Sequence, residues 1–167
     1  RAGRISSSRH HSRCKNHQTR RSPRRSHSPT DIMPRMHWFP DPEVSRRIKH
    51  LITHLKLSHV LPEQVFCFTS RGSSSRATAR IWSLPRIWQQ ALNTEPAYCL
   101  EVISERFNKL NSDDQERVLI HELLHIPKTF SGALVPHRSR FHNRRTYKHY
   151  HDTVESLFKS LLRKSYQ

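Results

Sequence analysis

Apolar residues recur at helical spacing in three stretches of the chain. From Glu43 onward, Val44, Ile48, Leu51, Ile52 and Leu55 fall on one face, with Arg46, Arg47, Lys49 and His50 on the others. That is the stripe of a helix packed on a core, and Pro42 suits its first turn, where a backbone N–H has no partner to lose. Over residues 112–126 the apolar positions are Val118, Leu119, Ile120, Leu123, Leu124 and Ile126. Ser112 followed by Gln115 reads as a capping box. Asp113, Asp114 and Glu116 place negative charge where the helix dipole favours it, and Pro127 turns Ile126 away from helical geometry and stops the helix there. The third stretch, residues 147–163, carries Tyr147, Tyr150, Val154, Leu157, Phe158, Leu161 and Leu162 at the same period, with Arg144, Arg145 and Lys148 beside it.

Two shorter runs read as strands. Leu61-Pro62 breaks the chain, and Val65–Phe68 then reads as a short buried strand; Tyr98–Ile103 is the second, with Glu95 and Glu101 expected to face solvent. Cys67 and Cys99 lie inside these two runs and are expected as buried strand residues, neither ligands nor disulfide partners. Residues 69–80, T-S-R-G-S-S-S-R-A-T-A-R, form a polar turn around Gly72. An aromatic and aliphatic stretch follows (Ile81, Trp82, Leu84, Ile87, Trp88, Leu92), interrupted by Pro85. Its two tryptophans are expected to pack in the interior; the alternative is a nucleic-acid platform of aromatics interleaved with arginines. Helices around two short strands make an α+β chain.

Composition divides the chain in two. The 167 residues carry a net charge of +17, and residues 1–35 hold ten Lys and Arg against Asp31 alone, leaving the body at +8. Residues 1–30 contain almost no apolar side chains. Such a stretch cannot bury enough surface to offset the entropy of ordering, so residues 1–35 are expected to form a disordered basic arm, followed by one domain over 36–167. Its charge suits non-specific contact with phosphate backbones. A second reading of residues 1–32 stands beside that one: Met33 and Met36 lie where globular composition begins, as they would if the preceding stretch were a fragment end or an over-extended reading frame. The arm histidines (His10, His11, His17, His27) and the pair His50 and His54 are expected in solvent. No run of eighteen apolar residues and no hydrophobic signal segment is visible, so no membrane contact is expected. Three scattered cysteines point to a reducing cytoplasm.

The chemistry concentrates at His121-Glu122-Leu123-Leu124-His125. Residues four apart share a helix face, so His121 and His125 can aim two imidazoles at one ion, a donor set suited to Zn²⁺. Glu122 stands beside them and can take a proton from a metal-activated water. With 14 His in the chain, chance alone yields roughly 0.05 such matches, so the context decides. Two imidazoles and a carboxylate amid apolar neighbours would cost kcal/mol each if left unpaired, and a shared metal removes that cost. A catalytic zinc needs a third protein ligand. His137, in a loop that Gly132 helps to turn back, is the preferred candidate; His142 and Glu155 remain alternatives. Tyr147, Tyr150 or His142 could donate to an oxyanion, although the tyrosines are expected to pack in the interior.

Two segments together, R-G-S-S-S-R-A-T-A-R-I-W-S-L-P-R-I-W-Q (71–89) and V-L-I-H-E-L-L-H-I-P-K-T-F-S-G-A-L-V-P-H-R (118–138), resemble the phage-type metallopeptidases, small zincin-like proteins also found in archaea and bacteria. The resemblance covers roughly residues 40–145. It implies a zincin-like fold, a small mixed sheet packed on the motif helix with flanking helices. It also implies His121, His125 and His137 as metal ligands and Glu122 as catalytic base. Lys128 stands where the metzincin pattern requires glycine, which sets the chain apart from that group. The expectation is a zinc metallopeptidase acting on a peptide or protein substrate, with strand 97–103 pairing an extended substrate by strand addition. The rival expectation is a basic nucleic-acid-associated protein with a structural metal; a protease acting on DNA-bound proteins would combine the two. Glu122 favours catalysis, because a structural site needs no base beside its ligands.

Overall fold

A computed structural model describes residues 36–136 and 144–165, with the side chains of the last helix described from 150 to 163. Helix α1 spans Pro42–His54, and its Asp41 cap accepts a hydrogen bond from the Val44 backbone N–H at 3.0 Å. The chain then enters strand β2 (Val65–Arg71), which pairs antiparallel with the short strand β1 (His37–Pro40) ahead of α1. Strand β3 (Ala79–Ser83), helix α2 (Arg86–Leu92) and strand β4 (Tyr98–Ile103) follow. A one-turn helix α3 (Ser104–Phe107) leads to α4 (Ser112–Leu123), and α5 (Arg144–Ser165) ends the described chain.

The four strands make one mixed sheet in the order β1-β2-β4-β3, with β2 and β4 parallel and the outer pairs antiparallel. Period two along the strands sends Val65, Cys67, Ala79, Ile81, Tyr98, Leu100 and Val102 into the core. There they meet Val44, Ile48 and Leu51 of α1, Leu119, Ile120 and Leu123 of α4, and Val154, Phe158 and Leu161 of α5. Each large aliphatic side chain so buried contributes about 1.5–3 kcal/mol. This is the α+β, zincin-like arrangement expected, a small mixed sheet packed on the motif helix with flanking helices.

Several expectations are corrected. The sheet has four strands where two were expected. β1 is only four residues long and wholly exposed, so no buried periodicity marks it. In β3, Ala79 and Ile81 turn inward while Arg80 and Trp82 turn outward, an alternation split between what reads as the end of a polar turn and the start of an apolar run. Trp82 and Trp88 are not packed in the interior; each is about half exposed. Glu101 does not face solvent. It is 1 % exposed, lying under Trp82, whose indole N–H donates to Oε2 at 2.8 Å, with Arg80 alongside. The motif helix is capped by Asn111 instead of Ser112: the Asn111 side chain accepts from the Asp114 N–H at 2.8 Å. The Gln115 amide does not close a capping box; it donates to the carbonyls of Phe107 and Leu110 and accepts from Arg47. Cys67 is buried and Cys99 half-buried, both as free thiols. His50 and His54 stack on the outer side of α1 with ring centroids 3.8 Å apart.

Candidate active site

Helix α4 ends at Leu123, three residues before the stop that Pro127 suggests. From there the backbone tightens: the N–H groups of His125 and Ile126 donate to the carbonyls of Glu122 and Leu123, each at 3.1 Å, an i to i+3 pattern. His125 therefore follows the helix on a tight turn, yet its ring still lies 5.2 Å from that of His121, centroid to centroid. The sequence spacing survives the change of helix type because both residues remain on the same side of the same turn.

His125 is fixed from its far side. Its Nδ1 lies 2.7 Å from the Val135 carbonyl, and its own carbonyl accepts from the Val135 N–H at 2.8 Å. A carbonyl can only accept, so in the neutral ring Nδ1 carries the proton and Nε2 carries the lone pair a metal needs. Such a partner behind an imidazole is the usual support for a metal-binding histidine. Tyr150 of α5 lies against both rings, stacked on His125 at 5.5 Å and edge-on to His121 at 5.1 Å.

Glu122 faces β3. The hydrogen bonds Ile103 N–H to Thr78 and Leu84 N–H to Ala97, at the two ends of the β3–β4 ladder, set its register. By antiparallel alternation the main chain at 80 and 82 bonds to β4, while that at Ala79, Ile81 and Ser83 points out from the sheet edge. The Ile81 backbone hydrogen-bonds the Glu122 carboxylate. Burial nevertheless dominates and pushes the Glu122 pKa up from 4.5 to about 7. His121, Glu122, His125 and the edge of β3 share one cleft of about 540 Å³, with Leu134, Val135 and Pro136 on its far wall. A second hollow of about 320 Å³ continues from His121 and Glu122 past Val118, Tyr150 and Val154.

Distant residues hold these pieces in place. The Tyr98 hydroxyl donates to the Ala133 carbonyl at 2.9 Å and accepts from the Gly132 N–H at 3.0 Å, pinning the loop beyond the motif to the sheet. Gly132 has φ +73°, and a Cβ there would collide with the Leu84 carbonyl and the Gln89 amide. Arg117 ties α4 to α5: Nε donates to Glu155 at 2.7 Å, a terminal nitrogen reaches Asp114 at 3.2 Å, and the guanidinium lies 4.0 Å from the centre of the Phe158 ring.

The structure thus brings together His121, Glu122 and His125. His137 and His142 lie outside the described residues, as do the arm residues 1–35 and the Tyr147 side chain. Glu155 lines the second hollow, with Oε1 engaged by Arg117. Among the described residues no group of three or more His, Cys, Asp or Glu forms a metal cluster. The donor chemistry of the described pair still fits a divalent metal, with two adjacent imidazoles and one of them supported through Nδ1. Strand β4 is not available to a peptide, because β2 and β3 occupy both of its edges; among the described residues the open edge beside Glu122 belongs to β3. Nothing in the sequence distinguishes Tyr98 or Ile81 from the other apolar residues around them.

No helix among the described residues is long and apolar enough to cross a membrane. No curated protein and no solved structure matches the chain. A family model described as "Putative phage metallopeptidase" matches residues 36–162. That span takes in the whole sheet, the histidine pair with its buried glutamate and most of α5, and the chain belongs to this metallopeptidase family.

Proposed function

We propose that the protein is a zinc-dependent peptidase in which His121 and His125 hold the metal, His137 completes the protein ligands and Glu122 is the general base. The observation that carries this reading is Glu122 itself, a buried carboxylate in the same cleft as two adjacent imidazoles. Zinc bound there would lower the pKa of a water molecule toward neutrality and polarise a peptide carbonyl. Glu122, with its pKa raised by burial, is suited to accept the proton of the attacking water and return it to the leaving amine. Its hydrogen bond from the Ile81 backbone fixes the carboxylate beside the strand edge. An extended substrate would lie along β3, bonding to the outward main chain at Ala79 and Ser83 by strand addition. Tyr150 holds the planes of both imidazoles by packing against them. The free thiols Cys67 and Cys99 suit a reducing, cytoplasmic setting.

Elemental analysis of protein purified without chelators tests the metal. About one zinc per chain is expected in the wild type and a large loss in His121→Ala. With zinc retained, Glu122→Gln should lower peptide hydrolysis by several orders of magnitude. Absence of bound metal even after zinc is added would overturn the reading.

A further inference from the structure

The helices α1, α4 and α5 cover one face of the sheet, and the other face carries aromatic side chains that stay about half exposed. Trp38, Phe66 and Trp82 are 50, 48 and 47 % exposed. The register gathers them. Phe66 and Trp82 flank Cys99 across three adjacent strands, and in the next row Phe68 and Arg80 flank Glu101. Trp38 pairs with Ser70 of β2, one row further along. Strands lie about 4.8 Å apart, so Phe66 and Trp82 rise roughly 10 Å from each other over a small residue. A groove of about 440 Å³ opens between Trp38, Phe68 and Trp82, with Cys99 and Glu101 at its floor.

The groove is preorganised. The Trp82 indole is held by its 2.8 Å hydrogen bond to Glu101 Oε2, and Glu101 is itself buried in a central strand. The Arg80 guanidinium lies 5.8 Å from the Trp82 ring and 3.8 Å from the same carboxylate oxygen. Glu101 Oε1 has no hydrogen-bond partner among the described residues. That oxygen is sealed from the surface, so a ligand matched to the groove is flat and aromatic and belongs to an anion that a chain of net charge +17 attracts.

We infer that this open sheet face is a stacking surface for single-stranded nucleic acid. Unpaired bases offer flat faces to Trp38, Phe66 and Trp82, and each base stacked on an aromatic side chain contributes about 1–3 kcal/mol. A duplex hides its base faces and cannot use the surface. The groove is lined by neither His121 nor Glu122, although Trp82 also borders their cleft at the β3 edge, and the inference does not rest on the peptidase reading.

The test is fluorescence anisotropy of a labelled fifteen-nucleotide single strand and of the matching duplex, with the full chain at fixed salt, alongside intrinsic tryptophan fluorescence. Wild type should bind the single strand more tightly than the duplex and show quenching. The double variant Phe66→Ala/Trp82→Ala should bind the single strand at least tenfold more weakly, with the dependence on salt unchanged, because it removes no basic side chain. Trp88→Ala, on α2 and not among the residues lining the groove, should bind as wild type. If the double variant melts well below wild type, Trp38→Ala on the exposed edge strand serves in its place, with a several-fold loss expected. Equal affinity for both nucleic acids, with no effect of the aromatic substitutions, would show that basic charge alone binds and would overturn the inference, as would absence of binding.

Discussion

Replacing Glu122 with Gln should change how the stability of the metal-free protein depends on pH. The carboxyl is 9 % exposed, and burial raises its pKa from 4.5 to about 7 against a smaller opposing contribution from the Ile81 backbone. In the unfolded chain a glutamate ionises near 4.3. Between those two values the unfolded chain has released its proton and the folded one has kept it. The unfolded state then binds fewer protons, so stability falls as pH rises. The contribution is fully present below about pH 4.5 and lost once pH passes about 7. A difference of about 2.5 pKa units at 1.36 kcal/mol each amounts to roughly 3 kcal/mol. Gln keeps the shape and still accepts from Ile81 but cannot ionise. Urea unfolding in the presence of chelator should therefore give similar stabilities for wild type and Glu122→Gln at pH 4.5. At pH 7.5 the variant should be more stable by about 2–3 kcal/mol. Parallel stability curves across that window would refute the claim that burial outweighs the Ile81 hydrogen bond at this carboxylate, and with it the basis for reading Glu122 as a tuned base.

Three further outcomes follow from the supports of the cleft. Tyr98→Phe removes the hydroxyl that pairs with both Gly132 and Ala133, leaving two backbone groups without their partner; a loss of about 1–3 kcal/mol, faster proteolysis within residues 131–136 and weaker zinc retention are expected, and wild-type values in all three would show that the loop is held by other means. Gly132→Ala places a Cβ against the Leu84 carbonyl at a positive φ, so thermal melting should show a loss of about 1–3 kcal/mol or more, and an unchanged melting temperature would contradict the close approach. Burial pushes the Cys67 thiol up to about 11; iodoacetamide at pH 8 should leave it unmodified in the folded protein and label it in concentrated urea, as mass spectrometry of the peptides would show, and rapid labelling of the folded form would place Cys67 at the surface.

The elements legible in the sequence are those whose partners are near in the chain. Val44, Ile48, Leu51 and Ile52 mark α1 because residues on one helix face recur every three to four positions, and the same rule finds α4, α5 and the His121–His125 pair. Val65–Phe68 and Tyr98–Ile103 stand out as dense apolar runs because β2 and β4 are the inner strands. The outer strands carry weaker marks: β1 has no fully buried residue, and β3 straddles the polar run 69–80 and the apolar run that begins at Ile81. Asn111 and Ser112 are both good caps, and the choice fell to Asn111 while Gln115 bonded elsewhere, to Phe107, Leu110 and Arg47.

The sequence by itself determined the motif helix, the adjacency of two imidazoles and a carboxylate, and the α+β class, since each depends on repeats within a few residues of chain. Only the tertiary structure decided that Ile81 bonds Glu122, that Tyr98 pins the loop after the motif, that Glu101 is buried beneath Trp82, and that β3 supplies the open edge while β4 lies inside. Those contacts join residues 19 to 41 positions apart. Their pairing is set by which strand faces are buried against which helices, a property of the assembled core that no local pattern encodes.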